Sequence, residues 1–303
     1  MARPRILLAL AIVSLSTAAC LVGDESLDDD GLDDDAEAKG GDTASIKIVQ
    51  HNIEKKNDPL MMALGKASQI GADGITLQEV CPEQLDWLVA NYTGKWTIVA
   101  VQKDTAALTG CANPGFARPF TVVIWRGGPG GTPDWFPEVS GIPGAPGNMV
   151  CVEFPRGGVA VDLCSLHLNS TLWGSYSGED LRLRATTKVK QIARDTWLSR
   201  NHFVILGGDF NGKPYTPPLE KIYTDSLGGK GDFTEYNRSG SSREGRNTAH
   251  SSGDKTESGE GYDRKIDYIF FSSNRAPRDG ELAEVATDAS DHDMVTSVVK
   301  MRK

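Results

Sequence analysis

The segment Gly207-Gly208-Asp209-Phe210-Asn211 follows the apolar run from Phe203 to Leu206, so a strand is expected to end by presenting an aspartate and an asparagine on a glycine turn. Further polar signals sit where other apolar runs start or stop: Gln50-His51-Asn52-Ile53, Leu77-Gln78-Glu79-Val80, Ser165-Leu166-His167-Leu168, Lys265-Ile266-Asp267-Tyr268 and Ser290-Asp291-His292-Asp293. Carboxylates with asparagine offer oxygen ligands to a hard cation, and histidine beside aspartate is a general acid–base pair. Glu79 is the most telling, because a carboxylate between Leu77 and Val80 at an apolar strand end is costly unless a cation or a salt bridge meets it. Each signal alone has a structural reading. Asp209 and Asn211 could serve only the turn, His51 or His167 only the core, and Asp267 could pair with Lys265 or Arg264 on an edge strand. Together they make the case for an enzyme.

The elements that must position these groups are read from periodicity. Ser45 to Asn52, Ile75 to Val80, Trp96 to Val101, Phe120 to Trp125, Met149 to Phe154, Val159 to Leu168, His202 to Leu206, Lys265 to Ser272 and His292 to Val299 are expected strands. Asp58-Pro59 opens a helix that Gly71 can end, a short helix follows near Pro82 to Asn91, and Asp180 to Arg200 has the pattern of a helix packed on a sheet. Gly127 to Gly147 and Ser226 to Asp263 are expected loops, the second mobile and placed to read substrate. Gly157-Gly158 suits a primed hairpin turn whose register sets Cys151 opposite Cys164, so these two are expected to bond, leaving Cys81 to pair with Cys111. No internal repeat is visible.

Thirty-nine per cent hydrophobic and 24% charged residues over 303 positions describe a globular chain with a sizeable core, expected as one catalytic domain over residues 45–303. Residues 1–20 read as a secretory signal: Arg3 and Arg5 precede an apolar stretch too short to span a membrane. Thr17-Ala18-Ala19 before Cys20 resembles a bacterial lipobox, with Thr17 departing from the usual leucine, so lipidation of Cys20 and ordinary cleavage both stay open. Four cysteines remain beyond it, an even number suited to disulfides in an oxidising, extracytoplasmic compartment. Residues 21–44 are expected to form an acidic, disordered tether. Residues 1–42 hold ten acidic and three basic side chains, leaving 31 against 29 in the rest, so the overall net of −9 belongs mainly to the lead.

Asn52, Glu79, His167, the Gly-Asp-Phe-Asn turn, Lys-Ile-Asp-Tyr-Ile-Phe and Ser-Asp-His, in that order, resemble the endonuclease/exonuclease/phosphatase family over about residues 45 to 300. The resemblance implies an α+β fold, a four-layer α/β/β/α sandwich with two mixed β-sheets packed face to face and the site at one end. It implies metal-dependent hydrolysis of a phosphoester. Glu79 would be the main Mg²⁺ ligand, with Asn52 and Asp291 contributing and Mn²⁺ an alternative ion. Asp209 would hold or deprotonate the attacking water, Asn211 would position the phosphate, and Asp267 would orient His292. His167 would stabilise the phosphate or assist the leaving group. Which of His292, His167 and Asp209 is the general base stays open. Glu54 is a weaker ligand candidate, and His51 replaces a tryptophan common in the family.

Three functions fit. An extracytoplasmic nuclease would use Arg182, Arg184, Lys188, Lys190 and Arg194, with Arg238, Arg243 and Arg246 of the loop, to contact a phosphate backbone, although a solvated helix face explains the helical bases equally well. A phospholipid-directed phosphodiesterase or phosphatase would need an apolar wedge, for which Thr132-Pro133-Asp134-Trp135-Phe136-Pro137 is the candidate. A non-catalytic binding subunit would be expected to lack motif residues, and none is missing. Nucleic acid is the expected substrate and partner, with a membrane met only through a lipidated Cys20. No protein partner is inferred, and the chain is expected to be a monomer.

Overall fold

Apolar residues alternate along the strands, and this alternation builds two sheets around a shared interior. The computed structural model describes residues 43–94, 96–102, 111, 119–127, 132–136, 139, 149–170, 177–239, 241–250, 264–276, 281–286 and 290–303. The expected signal segment, Cys20 and nearly all of the tether lie outside these, as do most of the 127–147 connection and residues 251–263.

One sheet holds β1 (Thr43–Asn52), β2 (Gly74–Val80), β3 (Trp96–Gln102), β4 (Phe120–Arg126), β11 (Glu281–Ala286) and β12 (Met294–Arg302), in the order β11-β12-β1-β2-β4-β3. The other holds β5 (Thr132–Trp135), β6 (Met149–Arg156), β7 (Val159–His167), β8 (Phe203–Asp209), β9 (Phe233–Glu235) and β10 (Asp267–Ser272), in the order β5-β6-β7-β8-β10-β9. Each is antiparallel except for a central parallel pair, β1 with β2 and β7 with β8. A parallel pair needs a crossover, supplied by α1 (Asn57–Ile70) in one sheet and α3 (Gly178–Ile192) in the other. The two sheets thus share a strand plan that the sequence does not display as a repeat.

Ile46 and Ile48 of β1, Leu163 of β7, Phe203 and Ile205 of β8 and Phe271 of β10 fill the space between the sheets. The alternate residues Val49, Ile75 and Leu77 pack under α1 and α2 (Pro82–Tyr92), while Val204, Leu206 and Phe270 pack under α3. This is the expected four-layer sandwich. No helix among the described residues is long and apolar enough to cross a membrane.

Local signals act as their chemistry predicts. Gly71 ends α1 in the left-handed region at φ 61°, and Ser177 caps α3 by accepting from the Asp180 amide. The β6–β7 register sets Cys151 against Cys164, and both expected disulfides, Cys151–Cys164 and Cys81–Cys111, are present. Two expectations are corrected. The Asp180–Arg200 helix stops at Ile192 and continues as a π turn (Ala193–Trp197) and a 3₁₀ turn (Leu198–Arg200) that bury Trp197. The described part of 226–263 is no loose loop. It contains β9 and buries Glu235, Asn237, Arg243 and Thr248, because Lys265 of the strand-like Lys-Ile-Asp motif reaches back to Glu235 and to the carbonyls of Asn237 and Arg243.

Candidate active site

Along the inner face of each sheet the alternating series turns from apolar to polar at one end. Gln50 and Asn52 follow Ile46 and Ile48 on β1, Gln78 follows Thr76 on β2, Ser165 and His167 follow Leu163 on β7, and Asp209 follows Ile205 and Gly207 on β8. Register then places His167 beside Asp209 and Asp209 beside Asp267. The glycines before Asp209 lie inside β8 rather than on a turn, which corrects the sequence reading. A Cβ on Gly207 would come within 2.3 Å of Thr76 Oγ1, and one on Gly208 within 2.1 Å of the Leu166 carbonyl oxygen. Close approach of β2 in the facing sheet and of neighbouring β7 is therefore what demands glycine there.

The eight residues singled out from sequence converge at this end. Asp209 Oδ1 accepts from the Asn211 amide at 2.8 Å, and its Oδ2 from Asn211 Nδ2 at 3.0 Å and Asn52 Nδ2 at 3.2 Å. His167 Nε2 stands 3.5 Å from the same oxygen and His292 Nε2 3.9 Å from it. Asn211 is further tied to the Leu168 carbonyl at 3.1 Å. His292 Nδ1 meets Asp267 Oδ2 at 2.8 Å, the orienting contact expected, and Asp267 makes no pair with Lys265. Glu79 Oε1 lies 4.0 Å from His167 Nε2, and Asp291 Oδ1 lies 3.8 Å from His292 Nε2. His51 falls on the opposite face of β1, buried in phase with Val49 and Ile53.

Several residues that position these groups carried no role in the sequence reading. Gln50, fully buried, donates to Gln78 Oε1 at 2.8 Å and to Asp267 Oδ1 at 3.3 Å; Gln78 donates to Ser165 Oγ at 3.1 Å. This polar bridge crosses from one sheet to the other. Thr248 donates to Asp267 Oδ2 at 3.0 Å while its oxygen accepts from the amides of Ile266 and Asp267. His250 meets Asp293 Oδ2 at 2.7 Å, clasping the 248–250 segment to the His292 turn. The signal for the two glutamines was present: they sit one or two residues before Asn52 and Glu79, at inward positions where an apolar side chain would continue the core. Thr248 was legible only as a loop residue that could touch substrate, because its bond to Asp267 depends on a strand reached later in the chain.

Strain marks the same place. Of the five described non-glycine residues with positive φ, four are here: Glu54 (48°), Lys55 (61°), Glu79 (58°) and Asn211 (49°). Such conformations cost about 1–3 kcal/mol each and persist where the surroundings over-determine them. Glu54 accepts from the Asp291 amide at 3.0 Å, and Lys55 Nζ sits 2.8 Å from Glu79 Oε2.

The electrostatics are those of a carboxylate cluster. Burial raises the Asp291 carboxyl, against the pull of His292, and the charges of Glu54 and Glu79 raise it further. Burial also acts to raise the Glu54 carboxyl, but bonds from Lys56 and the Asp291 amide bring it below its ordinary value. Burial would lower the His292 imidazole; the charges of Asp267, Asp209 and Asp291, with the bond to Asp267, instead carry it up to about 10. Asp291 Oδ1 is buried and accepts no hydrogen bond among the described residues. An orphaned carboxylate oxygen beside Asn52, Glu54 and Glu79 is an all-oxygen donor set that fits a hard divalent cation.

The bases expected to meet phosphate are mostly engaged elsewhere. Arg194 pairs with Asp232 at 2.9 Å, Lys190 reaches the Lys230 carbonyl, and buried Arg243 stacks on Tyr223 and Tyr215. Arg182 differs. Its guanidinium donates to the Asn169 carbonyl at 2.9 Å, just past His167, and its pKa is lowered by burial against the charges of Glu179 and Asp209. Phe136 of the candidate apolar wedge is buried and packs edge-on against Trp197, ring centres 5.2 Å apart.

Residues 40–292 match the model of the Endonuclease/Exonuclease/phosphatase family. No curated protein matches the chain. Solved structures of similar fold include D. rerio TDP2 complexed with single strand DNA product, 14% identical over 84% of this chain and 98% of that one, with a TM-score of 0.59. An endonuclease/exonuclease/phosphatase from Bacteroides vulgatus is 15% identical over 85% and 99%, TM-score 0.59. The human Nocturnin catalytic domain with bound sulfate anion is 15% identical over 85% and 94%, TM-score 0.57. At these identities the likeness is one of fold, and it agrees with a sequence match that covers most of the chain: this protein belongs to the Endonuclease/Exonuclease/phosphatase family.

Proposed function

We propose that the chain is an extracytoplasmic, divalent-metal-dependent nuclease that hydrolyses phosphodiester bonds of DNA or RNA. The observation that carries the reading is the His292–Asp267 pair facing Asp209 and Asn52 beside an oxygen-only cluster. Asn52, Glu79 and Asp291, with Glu54, would hold Mg²⁺ or Mn²⁺. Such an ion neutralises phosphoryl charge and stabilises the leaving oxygen.

The protein's own groups divide the rest. Asp209 Oδ2 lies between Asn52, His167 and His292, where a carboxylate can accept a proton from an attacking water. Against burial, the charges of Asp267, Asp209 and Asp291 raise the His292 imidazole to about 10, and a protonated imidazole 3.9 Å from Asp209 is suited to stabilising phosphoryl oxygens. Asn211, held by Asp209 and the Leu168 carbonyl, and His167 on the other side of Asp209 face the phosphate and the leaving group.

Nucleic acid is preferred as substrate because D. rerio TDP2, of the same fold, holds a single strand DNA product. The inward packing of Phe136 takes support from the phospholipid reading. Two disulfides support an oxidising compartment, reached through the leader with or without lipid on Cys20. The test is Mg²⁺-dependent cleavage of plasmid DNA, with RNA, sphingomyelin and phosphoinositides in parallel. Asp209→Ala and His292→Ala should each lower the rate at least about 100-fold. Lipid turnover without cleavage of DNA or RNA would sink the nuclease assignment.

A further inference from the structure

A cleft of about 380 Å³ opens between the first turns of α1 and α2, lined by Asn57, Leu60, Met61, Glu83, Gln84 and Trp87. Both helices leave the strand ends that carry the candidate metal ligands, α1 after Asn52 and Glu54, α2 after Glu79. The cleft therefore opens a few residues along the chain from those ligands, Asn57 three past Glu54 and Glu83 four past Glu79. Gln84 forms its polar floor, accepting from the Cys81 amide at 2.8 Å and donating to Asn57 Oδ1 at 2.9 Å. Leu60 is buried at its base, while Met61 and Trp87 remain 50% and 38% exposed as its walls. Trp87 is braced edge-on by Tyr92, ring centres 5.8 Å apart.

We infer that this cleft is a nucleobase subsite: it takes one unpaired base of the strand whose neighbouring phosphate lies at Asp209. The inference rests on the nuclease reading above. A flat aromatic wall beside a polarisable methionine suits stacking by any base, and stacking of this kind needs no sequence preference. Three of the six lining residues are polar, and the polar edge of a base is compatible with that lining where an acyl chain would desolvate it. Charge agrees. Lys55 and half-exposed Lys56 stand between the metal ligands and the start of α1, paired with Glu79 at 2.8 Å and with Glu54 at 2.6 Å, so two ammonium groups already lie beside the acidic cluster on the cleft's side.

The experiment measures Mg²⁺-dependent cleavage of a single-stranded oligodeoxynucleotide by the full chain and its Trp87→Ala, Trp87→Phe and Val89→Ala variants. A second series carries one tetrahydrofuran abasic nucleotide walked along the strand. Trp87→Ala should raise KM about ten-fold while kcat moves far less, and Trp87→Phe should recover most of the loss. Val89, exposed on the same helix but outside the cleft, should be neutral when replaced. The wild type should show one abasic position that raises KM, and Trp87→Ala should lose that dependence. Cleavage with an unchanged KM in Trp87→Ala, or an abasic walk without a sensitive position, overturns the subsite and leaves the nuclease standing. Failure of the wild type to cleave any nucleic acid while it turns over phospholipid vesicles overturns both.

Discussion

His292 binds its proton in the folded chain far more tightly than a free imidazole, and the consequence for stability has a definite sign. Its folded pKa is raised to about 10 from 6.5, so the stabilisation it gives is complete below pH 6.5, declines as pH rises, and is gone above about 10. In chelator, urea unfolding of wild type and His292→Gln should differ by about 2 kcal/mol at pH 6 and by clearly less at pH 9. A difference that grows with pH would show that the imidazole is neutral in the fold. Thr248 acts one step away, through Asp267. Thr248→Val keeps the shape but leaves the Ile266 and Asp267 amides and Asp267 Oδ2 short of a partner, so it should cost about 1–3 kcal/mol and lower kcat more than KM. Equal activity at equal stability would count against that role. The candidate site residues were legible because they are polar groups at the ends of apolar runs. Gln50, Gln78, Ser165 and Thr248 were not assigned because each acts through a partner on another strand, and one sequence read along its length does not give such pairings.

At the scale of elements, β8 does two jobs that meet in its glycines. It sits against β7 and under β2 while delivering Asp209 to the site. A Cβ on Gly208 meets backbone, the Leu166 carbonyl oxygen at 2.1 Å, and β7 cannot yield without moving His167. Gly208→Ala should therefore lose about 1–3 kcal/mol in urea denaturation and disturb Asp209 and His167 together. Gly65, inside α1 with nothing within 4 Å of the added carbon, gives the opposite expectation: Gly65→Ala should gain about 0.5–1 kcal/mol. Were both neutral, the close-approach account of β8 would fail. Long alternating strands and the three long helices were readable, although α1 begins at Asn57 on an uncapped Lys56 rather than on the expected Asp58 cap, whereas β5, β9 and β11 were not. β9 is three residues in a segment of glycine, serine and charge, and it exists because Glu235 is tied to Lys265 and Tyr223. The sharing of one strand plan by both sheets was likewise hidden, since topology can repeat where residue order does not.

For the molecule as a whole, the two disulfides differ in what they hold and in how solvent can reach them. Cys151–Cys164 staples a hairpin whose register already pairs those residues, and both sulfurs belong to the core under α3. Cys81–Cys111 spans 30 residues against 13 and anchors the turn after Glu79, with Cys111 only half buried. By the loop-entropy account each contributes about 3–4 kcal/mol, slightly more for the longer span. Access, however, sets the order of reduction, because a thiolate must reach the sulfur it attacks. Mild dithiothreitol on the folded protein, followed by alkylation and peptide mapping, should label Cys81 and Cys111 while Cys151 and Cys164 stay protected until unfolding. The partly reduced protein should unfold at lower urea and bind divalent metal more weakly, because Glu79 lies two residues before Cys81 in a left-handed conformation that the surrounding structure must enforce. Labelling of all four cysteines at once would mean that the second bond is not sealed in the core. A metal affinity that falls with reduction of Cys81–Cys111 would tie the proposed site to a compartment where disulfides persist.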